Sequence, residues 1–155
     1  MAMPEVERRF HRKAGAGCFN LAWNLLEKKK RTKEDDNALL HLVHTSRYHW
    51  GLVGTVRNMA VGDWQISRAY AAVGEGNLAL RFARSSLELC EKNSLRDILH
   101  AGHEGVARAY AVGGQMEKAR HSLKEARIHL DSLSLNSEDR QIYLAQIAET
   151  EALIK

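Results

Sequence analysis

The chain has one proline, at position 4. Everything after it is free to run as helix, because no ring crowds a carbonyl one turn back and no backbone N–H is lost. Cysteine is nearly as scarce. Cys18 and Cys90 are single, far apart and next to apolar neighbours, Phe19 and Leu89. Such usage excludes a disulfide framework and fits buried free thiols in a reducing compartment, so a cytoplasmic location is expected. No stretch approaches the roughly 20 apolar residues of a membrane span, and no membrane partner is expected. Met1 to Lys13 is charged where a signal peptide carries its apolar segment, which argues against export. Runs of alternating β-branched residues bounded by turns are also missing, which excludes an obvious sheet.

An apolar share of 45% with 27% charged residues describes a folded chain, and 155 residues fit a single domain, 1–155. The net charge is +4, and residues 1–77 hold 12 Lys/Arg against 8 Asp/Glu while residues 78–155 hold 11 of each. The excess sits in two clusters, Arg8-Arg9 with Arg12-Lys13, and Lys28-Lys29-Lys30-Arg31 with Lys33. A nucleic-acid footprint would spread its cations over a face with aromatic stacking partners. The second cluster instead falls where a helix ends, and cations there suit the helix dipole. Nucleic acid is not an expected partner.

The apolar spacing predicts about seven helices with short connections. Residues 1–7 are expected to form a disordered tail. Residues 8–62 should supply long N-terminal helices, the first from near Val6 to Lys30. Thr32-Lys33-Glu34-Asp35 fits a loose capping box opening the second. That helix should end near Gly62, with Gly51 and Gly54 available to kink or split it. Asp63 is expected to cap a short helix from Trp64 to Val73 that Gly74 terminates. Ser94-Leu95-Arg96-Asp97 reads as a further capping box, and Gly113-Gly114 as the close of the helix it opens. A capping helix is expected over 136–154.

The strongest pattern is a repeat. Arg68-Ala69-Tyr70-Ala71-Ala72-Val73-Gly74 and Arg108-Ala109-Tyr110-Ala111-Val112-Gly113-Gly114 agree at five of seven positions. The correspondence continues through Ala79 with Ala119 and Ser86 with Ala126. Small residues at these points, with Tyr and Gly before them, describe a helix, a tight turn and a second helix packed closely on the first.

This arrangement resembles the tetratricopeptide repeat. Ile66, Ser67, Tyr70, Gly74, Ala79 and Ser86 match that family's pattern in one unit, and Val106, Ala107, Tyr110, Gly114, Ala119 and Ala126 in the next. The resemblance covers two helix pairs over residues 63–133 and implies an all-α fold, an α-α superhelix, with a binding role for its concave face. Three features depart from the family. The period is 40 instead of the usual 34, the proline that normally closes each unit is missing, and Trp64 stands one place off the usual aromatic position.

Two sets of residues are candidates for chemistry. Arg68 and Arg108 hold the same place in successive units, and with Arg47 and Asn58 they are the candidate partner-binding residues. If they line the concave face, they resemble the basic clamps by which some tetratricopeptide proteins hold an acidic peptide or a carboxylate. The plainer reading makes each a solvated residue or one half of a local ion pair. The second set is histidine, of which there are eight. His41 and His44 share one helical face, and His100 and His103 stand close in sequence on another predicted helix. Imidazoles so spaced can share zinc or iron if another helix supplies a third ligand, and His41, His44 and His103 are the candidate metal ligands. Neither pair has the His-Glu-x-x-His arrangement, and histidines at helical spacing are more often hydrogen-bonding residues. Thr45 and Ser46 lack the strand-turn-helix setting of a nucleophile, and their hydroxyls are expected to bond back to a carbonyl on their own helix. Tyr70 and Tyr110 are expected to pack between paired helices.

The expectation is a non-catalytic module that binds a protein or peptide and needs no cofactor. A histidine-dependent zinc or iron protein, hydrolase or sensor, is the alternative, and a homodimer through the end faces of a short stack is a further possibility.

Overall fold

The computed structural model describes residues 1–155 and contains seven α-helices and no strand. They are α1 (Glu5–Leu26), α2 (Lys33–Val53), α3 (Val56–Ala72), α4 (Gly76–Lys92), α5 (Leu99–Val112), α6 (Met116–Asp131) and α7 (Ser137–Glu151), with a 3-10 turn at Arg96–Ile98 before α5. None of the helices is long and apolar enough to cross a membrane. The fold is all-α, as the sequence predicts.

Local chemistry explains where the helices begin. The expected tail over 1–7 is cut short, because Pro4 stands at the position before α1 and Glu5 and Glu7 occupy its first turn. A pre-set φ and acids near the positive end of the dipole both favour an early start. The Thr32 box forms as expected: Asp35 N–H donates to Thr32 Oγ1 at 3.1 Å, and Thr32 N–H donates to Asp35 Oδ2 at 2.9 Å. The predicted long second helix splits at Gly54. A second box follows, in which Thr55 N–H donates to Asn58 Oδ1 at 2.9 Å and Asn58 N–H to Thr55 Oγ1. It starts α3 seven residues before Asp63. Asp63 is therefore not a cap. It lies inside α3, 4% exposed, and accepts from Arg47 Nε and Ser85 Oγ, each at 2.7 Å.

Three helices close with the same turn. Gly74 after α3 and Gly114 after α5 adopt φ of 84° and 79°. The next N–H reaches back to a tyrosine carbonyl in both, Glu75 to Tyr70 at 2.9 Å and Gln115 to Tyr110 at 2.8 Å. After α4 the corresponding bond runs from Leu95 N–H to Cys90 O at 2.9 Å, but the left-handed residue is Ser94, with φ of 55°. Ser94 thus closes α4 and does not cap α5. A Cβ in this conformation costs about 1 kcal/mol. Ser94→Gly is expected to raise stability by that amount, read as a rise of about 2–4 °C in Tm. An unchanged or lower Tm would contradict this view of the turn.

Consecutive helices pack on one another, and the odd helices also touch in sequence: α1 on α3, α3 on α5, α5 on α7. The odd helices therefore form one layer and α2, α4 and α6 a second. The core is spread along the stack in small clusters. One joins Ala22, Leu39, Val43, Ile66 and Ala69, and another joins Ala107, Leu123, Ala126, Leu130 and Ile147. Alanine is frequent where helices cross because it lets backbones approach closely. At Gly76 even one methyl is too much, since its Cβ would stand 2.9 Å from Gly113 Cα.

The spacing of buried residues is the same in α2 as in α4 and α6. Leu39, Ala79 and Ala119 are buried at intervals of 40, as are Val43, Ala83 and Leu123, and Ser46, Ser86 and Ala126. The α1–α2 pair is thus built like α3–α4 and α5–α6. Ser46 Oγ donates across to Gly15 O on α1 at 2.8 Å, as Ser86 Oγ donates to Ala60 O on α3 at 2.7 Å. Ser46 does not bond back to its own helix.

Candidate functional site

The odd helices present equivalent positions on one side. Trp23 on α1, Arg68 on α3 and Arg108 on α5 line a cleft of about 730 Å³, with α7 as the opposite wall. Leu26, Ala71, Val112, Ile142 and Leu153 give it an apolar lining. The small residues of α3 keep the floor open between the α1 and α7 walls.

Arg68 is the most constrained of these residues. It is 8% exposed, and its guanidinium carbon lies 5.2 Å from the Trp23 ring and 5.3 Å from the Trp64 ring. An aromatic face attracts a cation and shields it from water at once. Its Nη2 donates to Glu149 Oε2 at 2.9 Å. Its Nη1 is buried without a hydrogen-bond partner, with Glu104 Oε1 at 3.9 Å. Burial, joined by the repulsion of Arg108, pulls the Arg68 pKa below its ordinary value, against the opposing charges of Glu104 and Glu149.

Arg108 completes the pair. Its Nε donates to Glu104 Oε1 at 2.9 Å, one turn earlier on α5, and its Nη2 reaches Glu149 Oε2 at 3.3 Å and Gln146 O at 3.4 Å. Glu104 is 1% exposed and receives two further donors, Trp64 Nε1 at 3.2 Å and Thr150 Oγ1 at 2.5 Å. Burial pushes its carboxyl up, but Arg108, Arg68 and the Thr150 hydroxyl outweigh that and hold it below the ordinary carboxylate value. A carboxylate with this many donors is fixed as an anion. It ties α3, α5 and α7 together beneath the cleft.

The other sequence-predicted residues lie elsewhere. Arg47 is a strut between α2 and α3, bonded to Asp63, and its chain lies over Gly62, where an added Cβ would stand 2.7 Å from Arg47 Cδ. Asn58 is occupied as the box partner of Thr55 at the start of α3. Of the four candidate partner-binding residues, only Arg68 and Arg108 meet in the cleft.

The candidate metal ligands His41, His44 and His103 do not converge. His44 Nε2 is 2.9 Å from Tyr70 Oη, and Arg84 Nη2 donates to Tyr110 Oη at 2.7 Å in the next unit, so His44 fills the place that Arg84 fills there. His103 stacks on His129, with ring centres 4.9 Å apart and planes 6° from parallel. His41 is exposed on α2. No three His, Cys, Asp or Glu side chains stand in metal-holding geometry. Both cysteines are free, and burial pushes the Cys90 thiol up to about 11, which leaves it unreactive at neutral pH.

Sequence reasoning missed Trp23, Trp64, Glu104 and Glu149. Glu104 has a legible signal, the spacing of four to Arg108 on one helix. Glu149 has none, because α7 lies outside the repeated pairs. No protein-family model matches this chain, and no curated protein or solved structure matches it.

Proposed function

We propose that the protein is a cytosolic helical-repeat module, tetratricopeptide-like in its paired stacking, that captures a protein or peptide partner in the cleft without catalysis. One observation carries the reading. Two guanidiniums from successive helix pairs face a cleft with aliphatic walls, and one of them keeps a buried N–H without a partner. Burying a cation this deeply is costly unless its donors are used, and a carboxylate is the group that matches a guanidinium in shape and charge. The aliphatic walls add affinity for apolar side chains beside that carboxylate. The fixed layer of odd helices keeps the cleft preformed, which lowers the entropy lost on binding.

The test uses a peptide array in which each amphipathic sequence is synthesised twice, once with Glu or Asp and once with Gln or Asn. Wild-type protein is expected to prefer the carboxylate member of its bound pairs by about tenfold, since a charge-assisted contact is worth roughly 1.5–3 kcal/mol. Arg108→Gln should remove the preference. Equal binding of both members, or a preference that survives Arg108→Gln, would overturn the reading.

A further inference from the structure

A carboxylate already stands where the two cations meet. Glu149 Oε2 accepts from Arg68 Nη2 at 2.9 Å and from Arg108 Nη2 at 3.3 Å, yet the Glu149 side chain is 57% exposed. Glu104, the other acid in the network, is buried and held from four directions. The two acids therefore differ in kind. Glu104 belongs to the interior, whereas Glu149 reaches the same guanidiniums from the solvent side near the end of α7. Its contact is also incomplete. A single oxygen serves both arginines, and Arg68 Nη1 is left without a hydrogen bond. A carboxylate presented edge-on to Arg68 would engage Nη1 and Nη2 together, the paired geometry that makes guanidinium–carboxylate contacts strong.

Building on the cleft as a partner-binding site, we infer that Glu149 is an internal stand-in for the ligand's carboxylate, and that binding exchanges one carboxylate for the other on Arg68 and Arg108. The ligand is a peptide carboxylate flanked by aliphatic side chains, which meet Leu26, Ile142 and Leu153 along the walls. Exchange keeps the charge of the network constant, so no buried cation is left bare on the way in. It also makes the Glu149 side chain the adjustable part of the α7 wall. Glu149 swings into water when the site fills, while Glu104 and Thr150 keep α7 anchored. An isolated carboxylate in solvent binds weakly for the same reason, because it competes with one attached to the chain.

Glutarate is the probe, titrated into wild type, Glu149→Gln and Glu149→Ala and followed by the indole N–H signals. Trp23 and Trp64 flank Arg68, and Trp50 lies against Gly15, away from the cleft, as an internal control. Removing Glu149 should tighten glutarate binding about tenfold, with shifts at Trp23 and Trp64 and none at Trp50. Both variants are expected to fold, since the side chain they alter is exposed, and the alanine variant separates loss of the carboxylate from any new contact of the glutamine amide. Adding Arg108→Gln to either variant should abolish the gain. Equal affinities with and without Glu149, still dependent on Arg108, would leave the cleft as the binding site and overturn the exchange. Absence of saturable shifts at Trp23 and Trp64 in the Glu149 variants, or shifts indifferent to Arg108, would overturn both.

Discussion

Glu104→Gln is expected to lower the stability of the protein by about 3–5 kcal/mol, the range for breaking a buried ion pair from one side. The substitution is nearly isosteric, so packing is not the reason. Glu104 is 1% exposed and serves Arg108 Nε, Trp64 Nε1 and Thr150 Oγ1, with Arg68 nearby. A glutamine has one acceptor oxygen for these donors, and its NH2 would face another N–H or O–H. Arg68 and Arg108 would keep only the exposed carboxylate of Glu149 as a counter-charge. Urea unfolding at pH 7 measures the loss. Hydrogen exchange locates it, with protection falling first in α7 around Thr150, because Glu104 makes the buried side-chain hydrogen bond between α5 and that helix. A change below about 1 kcal/mol, the scale of an exposed pair, would mean that the network does not hold the cleft together.

Mild acid is expected to produce the second large effect, through His100. The residue is 2% exposed, packs edge-on to the Tyr143 ring at 4.3 Å and has a buried Nε2 without a partner. Burial pulls its pKa down to about 4 from the ordinary 6.5, against the opposing pull of the Asp97 backbone and of the Glu104 and Asp97 charges, while His129 acts in the same direction as burial. The sign follows from which state binds the proton. Above pH 6.5 the imidazole is neutral folded or unfolded and contributes no pH dependence. Between 6.5 and 4 the unfolded chain takes up a proton that the folded chain refuses, so stability falls with pH, by about 2.5 kcal/mol from pH 7 to pH 4.5. His44, His49 and His103, each shifted down by burial, act in the same direction. His100→Leu removes this contribution. Its urea midpoint should depend less on pH than that of wild type over this range, with little lost at pH 7. Parallel curves for the two proteins would show that His100 titrates normally.

Much of the architecture was legible because it depends on short-range chemistry. Gly74 and Gly114 mark left-handed turns, Thr32 with Asp35 marks a helix start, and the identity of residues 68–71 with 108–111 marks a duplicated pair. The third pair was hidden by two things. Leu39 and Val43 are not the same residues as Ala79 and Ala83, and what they share is burial at one spacing. The connection after α1 is also longer. Ser46 reaches a carbonyl 31 residues back, whereas Ser86 reaches one 26 residues back, so α1 is out of register with α3 and α5 by five residues. That offset concealed Trp23 as the counterpart of Arg68 and Arg108.

The candidate site was half legible for related reasons. Repetition singled out Arg68 and Arg108, and the odd-helix layer brings them together. Arg47 belongs to the even layer and its guanidinium reaches across to Asp63 on α3, and residue type alone gives no sign of that. Asn58 was decided by Thr55 three residues earlier, a box whose acceptor is an asparagine in place of the usual glutamate or glutamine. Glu149 depends on how α7 docks, a long-range outcome that no local pattern encodes.

The most direct measurement is a structure of the protein with the tightest-binding carboxylate peptide from the paired array. The peptide is expected in the cleft between α1 and α7, its carboxylate about 3 Å from Arg68 Nη1 and Nη2 and its aliphatic side chains against Leu26 and Ile142. A peptide seated on the even-helix face, or one in the cleft whose carboxylate leaves both guanidiniums untouched, would contradict the assignment of Arg68 and Arg108 as the binding pair.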